Sequence, residues 1–379
     1  MTTVVFNREQ LLNRLKKCVQ FIPKKAVLPA HEYFFFNVGA GVAEITAMDY
    51  EKQITTSCDI VSCTADIHFC VPARLVLHTL NLLLESEVTF NIKDVNAEKP
   101  EDMDRCIVEL KSGKSKYKLD CDKGNSYPKS PSIVSEFESS FTGSIFNSAM
   151  DVVMKFADPE GNQPFMQGVC MRLMGNTINA YATTGFKLAK VEMSPRSINK
   201  WEDIVIPVHT VKAISKIIGD IEIVDITHNK DKFEIRTEEV NIIALAYNLK
   251  YPDVETFFKK RPENKIILNS VQFANAIERL TAYAKEENPT ITMNISTASL
   301  SIMVDNENHN RNGNEVIDVM AEKDLTITLN PLFLHETVKS FSSDEFTLYY
   351  SEPNGLVYIE PSSAVRENDK FFAIAPFKS

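Results

Sequence analysis

The sequence predicts an α+β fold of three tandem similar domains, each a double strand-helix-strands unit. Three observations carry that reading. Tyr127-Pro128, Tyr251-Pro252 and Ala375-Pro376 each follow an apolar, strand-like segment, and the three prolines stand 124 residues apart in a chain of 379. Proline fixes φ and cannot donate to a ladder, so it reads as the residue where a strand runs into a connection. Each third of the chain also opens with a strand running into an amphipathic helix, and each has a second helix midway. The domains so defined are 1–130, 131–256 and 257–379.

The helix starts justify the elements one by one. In "VVFNREQLL" the N-cap is Asn7, with Gln10 three residues on, the pattern in which side chains satisfy the free N–H groups of a first turn. Asn269 and Gln272 repeat it in "IILNSVQFANAIERL", and Asn147 in "SIFNSAMDVVMKFA" reads as the third start. The midway helices open on Pro72, Pro207 and Pro331, proline being at home in the first helical position. Between helices the pattern alternates: "DIEIVDITHNKDKFEIRTEEVNIIALAY" holds three strands, "TITMNISTASLSIMV" a hairpin, and "EFTLYYSEPNGLVYIEP" a hairpin turning at Asn354-Gly355. The acidic "NIKDVNAEKPEDMDRC" around Pro100 reads as a surface loop.

Composition narrows the function. Hydrophobic content of 44% and charged content of 24% are those of a soluble globular protein. The N-terminus carries charge where a signal peptide needs an apolar core, and no uncharged apolar run reaches about 18 residues, so a cytoplasmic, nucleoid-associated protein without a membrane span is expected. The seven cysteines include no CxxC and read as reduced thiols. No GxSxG, HExxH, GxxxxGK[ST] or GxGxxG occurs, the seven histidines never stand three or four apart, and Asp120 and Asp122 read as a solvated strand end. Neither catalytic residues, a metal site nor a cofactor is expected.

The helix faces opposite the apolar stripes carry cations. In the first helix Leu11, Leu12, Leu15, Cys18 and Val19 form the stripe, leaving Gln10, Asn13, Arg14 and Lys17. The others leave Arg74, Lys155, Lys212 with Lys216, Arg279 and Lys339, while Asp151 and Glu278 add acids to two of them. Any solvated helix has such a face. Six related helices with one bias, in a chain of net charge −10, also fit a basic surface that attracts phosphates without reading sequence.

"YATTGFKLAK" (Tyr181 to Lys190) is similar to the Ala-Thr-Asp-Gly-His-Arg-Leu-Ala motif of the bacterial sliding clamps, the β subunit of DNA polymerase III. "KYPDVETFF", "LNPLFLHETVKSF" and the C-terminal "FAIAPFKS" resemble further motifs of that family, in order and over the whole chain. The resemblance implies the DNA clamp fold and a head-to-tail homodimeric ring around duplex DNA. Its role is to tether the polymerase catalytic subunit, the clamp loader and other proteins bearing short clamp-binding motifs, with no catalysis. It implies that the helix cations face DNA, together with Lys25 of "IPKKAVLP". It also implies a partner-peptide pocket walled by Met166, Thr183, Gly185, Phe186, Lys187, Leu188, Pro252, Thr256, Phe257, Asn330, Phe333, Leu356, Ile374, Ala375, Pro376 and Phe377. Several rim positions depart from the family: Thr184 stands for its aspartate, Phe186 for histidine, Lys187 for arginine, Thr256 for arginine, and Ala375 and Phe377 for methionines. Two other readings stay open: an enzyme whose site is assembled across domains, and a diverged clamp-like protein with other partners.

Overall fold

The structure, a computed structural model, describes residues 1–95, 104–128, 132–259, 261–306, 309–362 and 369–377. Seven helices occur among them: α1 (Arg8–Cys18), α2 (Ala73–Leu82), α3 (Gly143–Val153), α4 (Val208–Ile214), α5 (Glu255–Phe258), α6 (Ser270–Thr281) and α7 (Pro331–Val338). Antiparallel strands make up most of the rest. The loop expected around Pro100 lies outside the described residues.

Side-chain caps explain where three of the helices, α1, α6 and α7, begin. Asn7 accepts from the N–H groups of Glu9 and Gln10 at 3.1 Å, Asn269 from Gln272 at 2.9 Å, and Asn330 from Leu332 at 2.9 Å with Pro331 following. Asn147 is no start: α3 begins four residues earlier, after Thr142, directly out of the strand Phe137–Thr142. Pro72 and Pro207 end the strands Ile67–Pro72 and Ile204–Pro207, one residue ahead of their helices. The recurrent prolines also divide. Pro376 follows the strand Lys370–Ile374 closely, whereas Pro128 and Pro252 come six and seven residues after the strands Ser115–Asp122 and Val240–Leu245. Intervening turns, such as the one closed by the Tyr127 N–H on the Gly124 carbonyl at 3.1 Å, separate strand from proline.

The chain forms two compact units. One comprises Met1–Ser140, Ile198–Lys200 and Ala213–Ala246. Its axis is the twelve-residue strand Lys52–Cys63. Residues 53–59 pair with Val42–Met48 on one side; on the other, Lys52–Thr56 pair with Val240–Ala244 and Ile60–Cys63 with Val4–Phe6. Beyond Thr2–Asn7 come Glu87–Asp94, Arg105–Ser112 and Ser115–Asp122 in ladder order. Helices α1 and α2 bury Leu11, Leu15, Val76 and Leu80. Phe6, Phe36, Phe69 and Phe90 interlock in the same core, with ring centroids 5.0 to 6.2 Å apart. Each such ring contributes roughly 1.5–3 kcal/mol by leaving water.

The other unit comprises Phe141–Ser197, Trp201–Lys212 and Tyr247–Ser379. Its eight-stranded sheet runs Ile204–Pro207, Gly168–Met174, Thr177–Thr183, Lys187–Met193, Lys370–Ile374, Val357–Pro361, Glu345–Tyr349, Lys265–Asn269. At its centre Lys187 pairs with Ile374 and Leu188 with Ala373, so two sequence-distant parts of the chain share one ladder. A four-stranded sheet runs Arg311–Asp318, Ser299–Asn306, Ile291–Ser296, Leu325–Leu329.

All seven cysteines are free, and all but Cys63 are buried. Burial pushes the Cys18 and Cys106 thiols up to about 12, which keeps them protonated and unreactive at neutral pH.

Candidate functional site

An apolar cavity of about 250 Å³ opens where the Lys187–Ile374 pairing ends the central ladder, and Ala373, Ala375, Leu188, Leu356, Phe165, Val254 and Phe257 supply its apolar wall. Three local structures shape it.

The first is the tight turn after Thr183. Thr183 Oγ donates to the Lys187 carbonyl at 2.8 Å and accepts the Gly185 N–H at 2.9 Å. Thr184 Oγ accepts from the N–H groups of Phe186 and Lys187 at 3.4 and 3.3 Å, so its hydroxyl makes the bonds an aspartate can make in such a turn. Gly185 has φ of +86°, and a Cβ there would lie 3.1 Å from Met166 Cε. Phe186 is thereby thrown out and stands 66% exposed at the mouth.

The second is the single turn α5, which carries Phe257. Buried Glu255 anchors it by accepting from Tyr181 Oη and by pairing with Lys190 Nζ at 3.1 Å. Tyr358 Oη donates to the Phe257 carbonyl at 2.9 Å from the other side.

The third is the C-terminal strand. The Ala375 N–H donates to the Phe186 carbonyl at 2.8 Å, and the Phe377 N–H to the Thr328 carbonyl at 2.9 Å, which carries the chain past the mouth.

Nine expected residues come together on the lining: Thr183, Gly185, Phe186, Lys187, Leu188, Pro252, Phe257, Leu356 and Ala375. The other seven lie off it. Met166 stands behind Gly185, Thr256 turns its hydroxyl to the Asp253 carbonyl at 3.0 Å, and Asn330 caps α7. Phe333 lies against Lys187, Ile374 is fully buried in the core, and Pro376 and Phe377 run beyond the lining. Phe165, Val254 and Ala373 join the wall without a motif that marks them. Strand alternation carries the signal for one of them: Ala373 and Ala375 share a face that Ile374 does not.

Lys187 is the one cation among the described lining residues, and it is not free. Its ammonium donates to the Lys155 carbonyl at 2.7 Å, pairs with Glu336 of α7, and lies 4.9 and 5.1 Å from the Phe156 and Phe333 ring centroids.

The helix cations divide by partner. Arg14 and Lys17 of α1 both pair with Glu239, and Arg279 of α6 pairs with Glu315 at 2.7 Å. Arg74 of α2 donates to the carbonyls of Ile22 and Pro23 at 3.3 and 3.2 Å, which ties down the segment leading to exposed Lys25. Lys155 follows α3, Lys216 follows α4, and Lys339 caps α7; these three and Lys212 are exposed. Asp120 pairs with Arg105, while Asp122 is partly buried. Among the described residues no group of three or more His, Cys, Asp or Glu is placed to hold a metal, and no helix is long and apolar enough to cross a membrane.

Sequence comparison decides the family. The family model of the DNA polymerase III beta subunit, central domain, matches residues 143–253, and that of its C-terminal domain matches 256–370. The chain belongs to the DNA polymerase III β subunit family, the β sliding clamps. The beta sliding clamp of Rickettsia felis is 21% identical over 396 residues, covering 100% of both chains. That of Pseudomonas putida is 19% identical and covers 98% of each. Among solved structures, a DNA polymerase sliding clamp from Pseudomonas aeruginosa superposes with a TM-score of 0.90 at 17% identity over 100% of both chains. One from Bacillus subtilis gives 0.89 at 16%, covering 100% of this chain and 99% of that one. The fold is therefore the DNA clamp fold, along the whole chain. The apolar cavity lies within the segments matched by the two family models, save Val254 between them and Ala373 and Ala375 just beyond them.

Proposed function

We propose that this chain is a DNA sliding clamp built of three domains, 1–130, 131–256 and 257–379, two copies of which close head to tail into a ring around duplex DNA. The ring holds DNA topologically, with the helix cations turned to phosphates and no bases read. The protein catalyses nothing. It keeps a tethered enzyme at an effective concentration on the order of millimolar near its template. The cavity beside Gly185 receives short apolar motifs of the polymerase III catalytic subunit, the clamp loader and other replication and repair proteins. The ring works in the cytoplasm, on the nucleoid.

The observation that carries this reading is the cavity itself. A concave, apolar, largely pre-formed site with exposed aromatic residues at its mouth suits a short linear motif with one or two hydrophobic anchors. The test is retention on DNA. Loaded onto nicked circular duplex by a clamp loader, the protein should co-elute with the circle in gel filtration and be lost once the circle is cut to a linear form. Equal retention on both forms, or on neither, would refute the ring. Sedimentation of the 42.8 kDa chain at several concentrations should show a dimer.

A further inference from the structure

Glu239 sits in the turn between the strands Lys232–Arg236 and Val240–Leu245, and its backbone is held from two sides. The Thr237 hydroxyl accepts from the N–H groups of Glu239 and Val240 at 3.2 Å, and Thr56 Oγ donates to the Glu239 carbonyl at 2.7 Å. The carboxylate so aimed spans two cations one helical turn apart. One oxygen accepts from Arg14 Nη1 at 2.8 Å, the other from Lys17 Nζ. Around them opens a cavity of about 560 Å³, whose lining also holds Lys16, Lys216 and Asp59. Four cations thus line a space wide enough for a phosphodiester, and a carboxylate on the same lining already bridges two of them. The Lys17 hydrogen bond, ahead of the contacts from Arg14, holds the Glu239 carboxyl below the ordinary glutamate range, so at neutral pH it is a full counter-charge.

We propose that the Arg14, Lys17 and Lys216 cluster is a phosphate-binding point in which Glu239 stands in for the phosphate, so that each DNA phosphate must displace an internal anion. The inference rests on the reading of the α1 face as DNA-facing. A clamp that must slide gains from a weak, quickly exchanging contact, and an internal competitor supplies one: breaking with Glu239 offsets much of what the phosphate contributes. Cation attraction without the internal competitor would give tighter contacts and a steeper dependence on salt.

The experiment measures binding of a fluorescent 30-base-pair linear duplex by anisotropy across salt concentrations. Glu239→Gln keeps the size and hydrogen-bonding reach but removes the charge. It should tighten binding roughly two- to tenfold at about 100 mM salt and steepen the log–log salt slope by about one to two units, near 0.9 for each freed phosphate contact. The double change Arg14→Gln with Lys17→Gln should weaken binding of the otherwise native protein, since it removes two phosphate contacts and leaves the Glu239 carboxylate unpaired, and should abolish the gain when combined with Glu239→Gln. Glu239→Asp, too short to reach both cations, should give part of the gain with the charge kept, and a matched thermal melt confirms that each variant is folded.

An unchanged slope in Glu239→Gln overturns the proposal. A gain that survives loss of Arg14 and Lys17 also overturns it, because the effect then belongs to net charge. Retention on circular duplex separates the two levels: a protein retained on circles whose slope ignores Glu239 loses this inference alone, while one that binds no duplex at any salt loses the clamp reading as well.

Discussion

Lys187 and Glu336 form an ion pair beneath the apolar cavity, the lysine side chain 8% exposed and the glutamate 35%. The pair is completed by the Lys155 carbonyl and two aromatic rings, so the charge is satisfied from within the protein. Breaking it from one end strands the other. Glu336→Ala should cost about 1–3 kcal/mol, because the ammonium loses its anion where water reaches it poorly. Lys187→Met should cost less, since it leaves behind the more exposed partner. Chemical denaturation of both variants checks the order; equal losses would show that solvent reaches Lys187 freely.

The same pair makes a prediction for binding. With its lining cation already matched, the cavity offers an acidic residue in a partner motif little attraction. Affinity for a short peptide with leucine and phenylalanine anchors should change less than about twofold between roughly 50 and 500 mM salt, exposed charges being screened over that range. Calorimetric titration at the two salt concentrations is the check, and a drop of tenfold or more would mean that a cation outside the lining takes part.

Gly185 offers a sharper test of cavity shape. At φ of +86° any side chain is strained, and the added Cβ would press on Met166 at 3.1 Å. Gly185→Ala should lower stability by about 1–3 kcal/mol and shift the turn that forms the mouth. Peptide affinity should fall by more than the loss of stability explains at temperatures where the variant is fully folded.

Two neighbouring carboxylates should respond to pH in opposite senses. Burial, with Asp104 and Asp120 nearby, raises the Asp122 carboxyl, Arg105 opposing it weakly. A carboxyl whose folded value is raised costs stability as pH climbs through its unfolded value, so Asp122→Asn should stabilise the protein at neutral pH and lose that advantage in acid. At Asp104 burial pushes upward too, but hydrogen bonds from Ser126 and Asn125 win and hold the carboxyl low. Its contribution is present above the unfolded value and disappears as pH falls through the lowered one, so Asp104→Asn should destabilise at neutral pH. Melting temperatures of both variants from about pH 3 to 7 test the two signs together.

Local signals are legible in the sequence and distant ones are not. Asn7, Asn269 and the Asn330-Pro331 pair mark helix starts because a cap acts on residues two or three away. Asn147 misleads because α3 starts without a side-chain cap, straight from a strand, leaving an asparagine in the helix interior. The turn Thr183 to Lys187 is readable as a motif, and with it four of the twelve residues that line the cavity. The motif points to Ile374 and passes over Ala373 because a linear match ignores which side of a strand faces out. Neither Glu239 nor Glu336 signals its partner, since those pairs close over 222 and 149 residues and depend on which strands and helices become neighbours.

The strand Lys52–Cys63 takes on another meaning when the chain is imagined cut. Its first five residues find their outer partner only in Val240–Ala244, far along the polypeptide. A fragment ending near residue 130 would present that run of N–H and C=O groups as a raw edge, free to template pairing with other molecules. On the ribosome the same edge waits until residue 244 has been made. Until then the edge has no partner of its own chain, and a truncation meant to isolate the N-terminal third would leave it exposed for a reason absent from its own sequence.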